Sequence, residues 1–104
     1  MREVDLDVFA AALAGGAFVI DVREPDEYAA GHVPGVHSAP LSTFGSALGA
    51  LPAGRQMYVI CASGNRSLRA AEHLATRGVD ALSVAGGTAG WARSGRPLVS
   101  GSPA

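Results

Sequence analysis

The chain has 104 residues, of which 48% are hydrophobic and 16% charged, with eight Lys and Arg against nine Asp and Glu for a net charge of −1. That describes one compact domain, long enough for a sizeable core and too short for two. The scattered charges exclude the basic stripe of a nucleic-acid binder and the polybasic cluster of an anionic-membrane binder.

The longest apolar stretch, Val8 to Ile20, is broken by Gly15 and Gly16 and falls short of the roughly 20 residues that span a bilayer. Glu3, Asp5 and Asp7 stand where a secretion signal needs positive charge, so the expected location is cytoplasmic. Cys61 is the single cysteine, which rules out an internal disulfide framework and a multi-cysteine metal site.

Taken in chain order, Asp5 or Asp7 can cap a helix whose apolar positions Leu6, Phe9, Ala10 and Leu13 recur at helical spacing, and Gly15-Gly16 ends it. "AFVID", residues 17–21, reads as a buried strand. Pro25 suits the first turn of a short helix that runs through Tyr28 to Ala30 and stops at Gly31. "GHVPG", 31–35, is loop chemistry. Ser42 can cap a helix with Phe44, Leu48 and Leu51 on one face, closed by Pro52. "MYVIC", 57–61, reads as a second buried strand. From Arg66 to Arg77, Leu68, Ala71, Leu74 and Ala75 form the apolar side of an amphipathic helix that stops at Gly78. "ALSV", 81–84, is a third buried strand, and "AGGTAGW" then turns into a short helix carrying Trp91. Residues 99–104 read as a frayed tail.

Strands that are apolar on both faces and alternate with helices predict a parallel-rich sheet covered on each side. In such folds ligands gather at the carboxyl ends of the strands, and Cys61 sits at one of those ends. A lone cysteine is most often a small core hydrophobe, but the residues after Cys61 argue for a nucleophile. Residues 61–67, "CASGNRS", join a strand to a helix in very few steps. Gly64 and Asn65 belong to the two residue types that enter left-handed backbone most readily. A tight curl of this kind turns successive N–H groups inward to form an anion nest. The helix N-terminus and Arg66 add positive charge, and such surroundings lower a thiol from its free value of about 8.5.

Three segments, "VIDVREPDEYAAGHVPGV" (19–36), "YVICASGNRS" (58–67) and "VAGGTAGW" (84–91), together resemble a single-domain rhodanese, or sulfurtransferase, and the likeness covers most of residues 3–98. The resemblance implies an α/β rhodanese-like fold: a single domain over 1–104, with a five-stranded, mainly parallel sheet and helices on both faces. Val4 would then end a short first strand that periodicity does not reveal. It also implies thiosulfate sulfurtransferase chemistry. Cys61 is the nucleophile, and Ala62, Ser63, Gly64, Asn65, Arg66 and Ser67 form the substrate cradle, chiefly through backbone. Arg66 would bind the anionic donor or steady a cysteine persulfide.

No metal or organic cofactor is implied. The partners are a small sulfur donor (thiosulfate or a persulfide) and a thiol or cyanide acceptor, with a protein acceptor as an extension. Ala62 departs from the polar or basic residue that many relatives carry there, which bears on donor preference. Asp21, Arg23, His32, Gly86, Gly87 and Trp91 are expected to serve structure, Glu27 and Tyr28 helix surface and packing, and Arg69 a solvated face.

Two rivals are weighed against this expectation. A Cys–Arg oxyanion loop also serves phosphatases and arsenate reductases, but four residues separate Cys61 from Arg66, and phosphoryl chemistry on this fold uses a longer loop and a wider bowl. The other alternative is a persulfide carrier or docking domain that serves a partner enzyme and has low intrinsic turnover. Metal binding is not expected, because His32, His37, His73 and Cys61 lie on unrelated segments without ligand spacing. The Gly-rich segment likewise lacks the lysine of a nucleotide phosphate loop.

Overall fold

A computed structural model of the protein describes residues 2–43 and 55–102. In chain order the elements are β1 (Glu3–Val4), α1 (Leu6–Ala14), β2 (Phe18–Asp21), α2 (Pro25–Ala30), β3 (His37–Ser38), β4 (Met57–Ile60), α3 (Asn65–Thr76), β5 (Ala81–Val84) and α4 (Gly87–Arg93). The five strands make one sheet in the order β1-β5-β4-β2-β3, and each neighbouring pair is parallel. No helix among the described residues is long and apolar enough to cross a membrane.

Because side chains alternate across a strand, the central strands feed two cores. Met57, Val59 and Cys61 face α3, where they meet Ala70, Ala71 and Leu74. Tyr58 and Ile60 face the other way, toward Phe9, Tyr28 and Trp91 of α1, α2 and α4. This two-sided burial explains why β2, β4 and β5 read as continuous apolar runs.

Asp5 is the α1 cap, its carboxylate accepting from Val8 N at 2.9 Å. Trp91 anchors α4 edge-on to Phe9, with centroids 5.6 Å apart, and donates its indole N–H to the Pro97 carbonyl at 2.7 Å. His32 is a satisfied loop histidine, stacked on Tyr28 and bonded through Nδ1 to the Tyr28 carbonyl at 2.8 Å.

Three expectations change. The buried stripe of α3 is Ser67, Ala70, Ala71 and Leu74, so the helix is rotated and places a serine in the core in place of Leu68 and Ala75. Asn65 opens α3 instead of adopting a left-handed turn; the described residues with positive φ are all glycines. The chain end from Val99 is pinned and does not fray at that point. Val99 and His32 exchange backbone hydrogen bonds at 2.8 and 2.9 Å, and Gly101 N reaches the Ala29 carbonyl at 2.9 Å. The helix expected after Ser42, with Phe44, Leu48, Leu51 and Pro52, lies outside the described residues; before it, Leu41–Thr43 form a 3-10 turn.

Candidate active site

The loop that follows β4 rises at the centre of the sheet, where neighbouring strands also end. Its path is set by α4. Thr88 N donates to the Cys61 carbonyl at 2.8 Å and Ala89 N to the Ala62 carbonyl at 3.0 Å. In a trans peptide the N–H points opposite to its C=O. Anchoring the Ala62 carbonyl on α4 therefore turns the Ser63 N–H back into the loop. This clamp requires Gly87. With φ at +57°, a Cβ there would lie 2.3 Å from the Cys61 carbonyl oxygen and 2.7 Å from that of Ala62. Gly64, at φ +108°, then makes the left-handed turn into α3.

The curl aims donors at one atom. Cys61 Sγ accepts from Gly64 N at 3.1 Å and Ser67 N at 3.3 Å, and it lies 3.4 Å from Ser67 Oγ. Ser67 Oγ is in turn 2.7 Å from Ser83 Oγ on β5 and 3.1 Å from the Gly64 carbonyl. Burial alone pushes the Cys61 thiol up. The Ser67 hydroxyl and the backbone N–H groups of Ser67, Gly64 and Ser63 outweigh it and hold the thiol below its ordinary value.

Cys61 has no solvent-exposed surface. Ser63 and Asn65 on the outside of the loop are exposed.

Arg66 does not point into open solvent. Its guanidinium grips Glu27 of α2 with both arms, at 2.8 and 3.0 Å. Those hydrogen bonds pull the Glu27 carboxyl from 4.5 down to about 2, against the upward push of partial burial. Arg23 and Asp21 form a buried ion pair at 2.8 Å, and Arg23 also donates to the Gly31 carbonyl at 2.8 Å. This pair ties the end of β2 to the turn after α2, the structural part expected of it.

Of the expected cradle, Ser63, Gly64 and Ser67 converge on Sγ, Ala62 faces a neighbouring groove, and Asn65 stays outside. Sequence reasoning missed Ser83 and the tie between Glu27 and Arg66. A serine in the middle of a strand buried on both faces was a visible signal for the first. Nothing local signals the second, whose partners lie 39 positions apart. Among the described residues no group of three or more His, Cys, Asp or Glu could hold a metal ion.

Comparison with known proteins finds relatives over most of the chain. The family model for the Rhodanese-like domain matches residues 5–94. A sulfurtransferase of Allochromatium vinosum is 30% identical over 102 residues, which is 95% of each chain. The crystal structure of a rhodanese-related protein of Thermoplasma volcanium has a TM-score of 0.88 at 31% identity, covering 95% of this chain and 98% of its own. A thiosulfate sulfurtransferase of Pseudomonas aeruginosa has a TM-score of 0.80 at 27% identity and covers 96% of this chain; the match takes in 19% of that longer protein.

Proposed function

The chain belongs to the rhodanese family, and from that premise we propose that it is a sulfurtransferase carrying sulfane sulfur on Cys61 as a persulfide. The observation that carries the proposal is the convergence of the Gly64 and Ser67 N–H groups on one sulfur atom, with the Ser67 hydroxyl 3.4 Å from it. Preorganised donors of this kind stabilise negative charge where it develops, with no reorganisation at the moment of reaction.

The Cys61 thiolate attacks the outer sulfur of thiosulfate or a similar donor. The donor S–S bond breaks, and sulfite leaves with the electron pair. Ser63, Gly64 and Ser67 hold the charge on the resulting persulfide, and the positive charge of Arg66 attracts the anionic donor once it is shared away from Glu27. An acceptor, a thiol or cyanide, then attacks the outer sulfur and returns the electron pair to Sγ. Cys61 is the single cysteine in the chain, so no second thiol can resolve the persulfide internally and the acceptor comes from outside. A free thiol that works as a thiolate suits a reducing, cytoplasmic compartment.

The test is thiocyanate formation from thiosulfate and cyanide. Cys61→Ser abolishes it while the protein stays folded; turnover retained in that variant sinks the proposal. One observation favours a second reading, that of a persulfide carrier with low intrinsic turnover: the complete burial of Cys61. A carrier accepts one sulfur per chain yet turns over slowly with cyanide, so single-turnover loading compared with steady-state rate separates the two.

A further inference from the structure

Beneath the loop three side chains without exposed surface stand in a row: Cys61 after β4, Ser67 in the first turn of α3 and Ser83 on β5. Cys61 Sγ lies 3.4 Å from Ser67 Oγ, which lies 2.7 Å from Ser83 Oγ. Both hydroxyls also reach the Gly64 carbonyl, Ser67 at 3.1 Å and Ser83 at 3.4 Å. That carbonyl already accepts from Leu68 N at 3.0 Å, so it needs neither of them. A desolvated hydroxyl in a core is unfavourable unless it is bonded, and for Ser83 the nearest partner is Ser67.

A hydroxyl has one hydrogen and two lone pairs, so the row can run in either direction. While Cys61 is a thiol, its S–H points toward Ser67 Oγ, and the Ser67 hydrogen is shared between Ser83 and the Gly64 carbonyl. Once Cys61 is ionised, Sγ only accepts, and its charge draws the Ser67 hydrogen more strongly than either neutral oxygen does. Ser83 then has Ser67 Oγ at 2.7 Å as its best acceptor, against 3.4 Å to the Gly64 carbonyl. A hydroxyl that accepts a hydrogen bond donates a stronger one. Each serine keeps its own hydrogen; only the directions turn.

We infer that Ser83 is a positioning residue for the nucleophile: its hydroxyl donates to Ser67 Oγ and so directs the Ser67 hydrogen onto the ionised sulfur of Cys61. The inference rests on the reading of Cys61 as the sulfur-carrying nucleophile and adds to it a residue that touches neither donor nor acceptor. The row serves both halves of the reaction. Sγ carries charge before it is loaded, and again when the acceptor takes the outer sulfur and the electron pair of the broken Sγ–S bond returns to it. The charged side chains around the loop leave this role to the serines. Arg66 is tied to Glu27 and Arg23 to Asp21, Arg69 of α3 and Arg93 of α4 are exposed, and β4 and β5 carry no charge.

The test is the titration of the Cys61 thiolate, followed by ultraviolet absorbance, in Ser83→Ala, Ser67→Ala and the double variant. If Ser83 supports Ser67, losing it makes ionisation about two- to fivefold less favourable, so the titration and the pH profile of sulfur loading both move upward. The double variant moves no further than Ser67→Ala alone, because Ser83 acts only through that hydroxyl. If Ser83 instead only competes for the Ser67 hydrogen, Ser83→Ala moves the titration downward, and that overturns the inference. An unmoved titration, or a double variant whose change is the product of the two single ones, overturns it too. Should Ser83→Ala not fold, Ser83→Thr and Ser83→Val share a shape and differ in the hydroxyl; the threonine variant titrates lower, and equal titrations refute the role. Wild-type protein that takes no sulfur from thiosulfate or an organic persulfide defeats the sulfur-transfer proposal and leaves the titration to decide on Ser83. Normal loading with an unmoved Ser83→Ala titration defeats only the inference.

Discussion

Ser67→Ala isolates the hydroxyl contribution to the nucleophile. The substitution removes the Oγ that lies 3.4 Å from Cys61 Sγ and leaves the Ser67 N–H, at 3.3 Å, in place. A hydrogen bond to a charged group contributes about 1.5–3 kcal/mol. The lower end applies here, because the Ser67 proton has competing acceptors in Ser83 Oγ at 2.7 Å and the Gly64 carbonyl at 3.1 Å. About 1.4 kcal/mol is a factor of ten, so ionisation of Cys61 becomes about tenfold less favourable. Ultraviolet thiolate absorbance followed against pH measures this without needing access to the buried sulfur. The titration moves upward in the variant, and the pH profile of sulfur loading moves upward with it, so that loading recovers in alkaline buffer, where the thiol ionises anyway. A titration that does not move, or a loading defect equal at all pH values, refutes the assignment of Ser67 as a thiolate donor.

Gly87→Ala drives a Cβ to 2.3 Å from the Cys61 carbonyl oxygen and should cost about 2–5 kcal/mol from overpacking and left-handed strain together. Gly95→Ala, at φ +84° with nothing within 4 Å, carries the strain alone, so chemical denaturation should show a clearly smaller loss there; equal losses contradict the clamp. Glu27→Gln releases the charge of Arg66 and should lower the KM for thiosulfate. The wild-type Glu27 carboxyl is held at about 2, so its contribution to stability is complete above 4.5, shrinks as pH falls below that value and is gone below about 2. A thiosulfate KM that changes near pH 4.5 in the wild type but not in Glu27→Gln contradicts that latch.

The layered α/β architecture was legible because β2, β4 and β5 are buried on both faces, leaving unbroken apolar runs such as "MYVI". β1 and β3 are two residues each, too short for any period to register; the former was supplied by family resemblance. The cradle was legible in outline, since a cysteine at a strand end followed by Gly64 and a helix start dictates a tight curl. Its detail was not. Periodicity counts Leu68 as apolar and Ser67 as polar, whereas the thiol and Ser83 draw Ser67 inward and rotate α3 accordingly. The pairings of Arg66 with Glu27 and of Val99 with His32 join distant segments, and no local pattern encodes them. Thr88 reads as an ordinary helix residue until its neighbours are known.

The central claim, that Cys61 takes up and gives back one sulfur, is met most directly by intact-mass spectrometry after brief exposure to thiosulfate. The expected result is a gain of one sulfur atom per chain, located on Cys61, lost on adding cyanide and absent from Cys61→Ser. A wild-type mass unchanged by thiosulfate and by organic persulfide donors alike would contradict it.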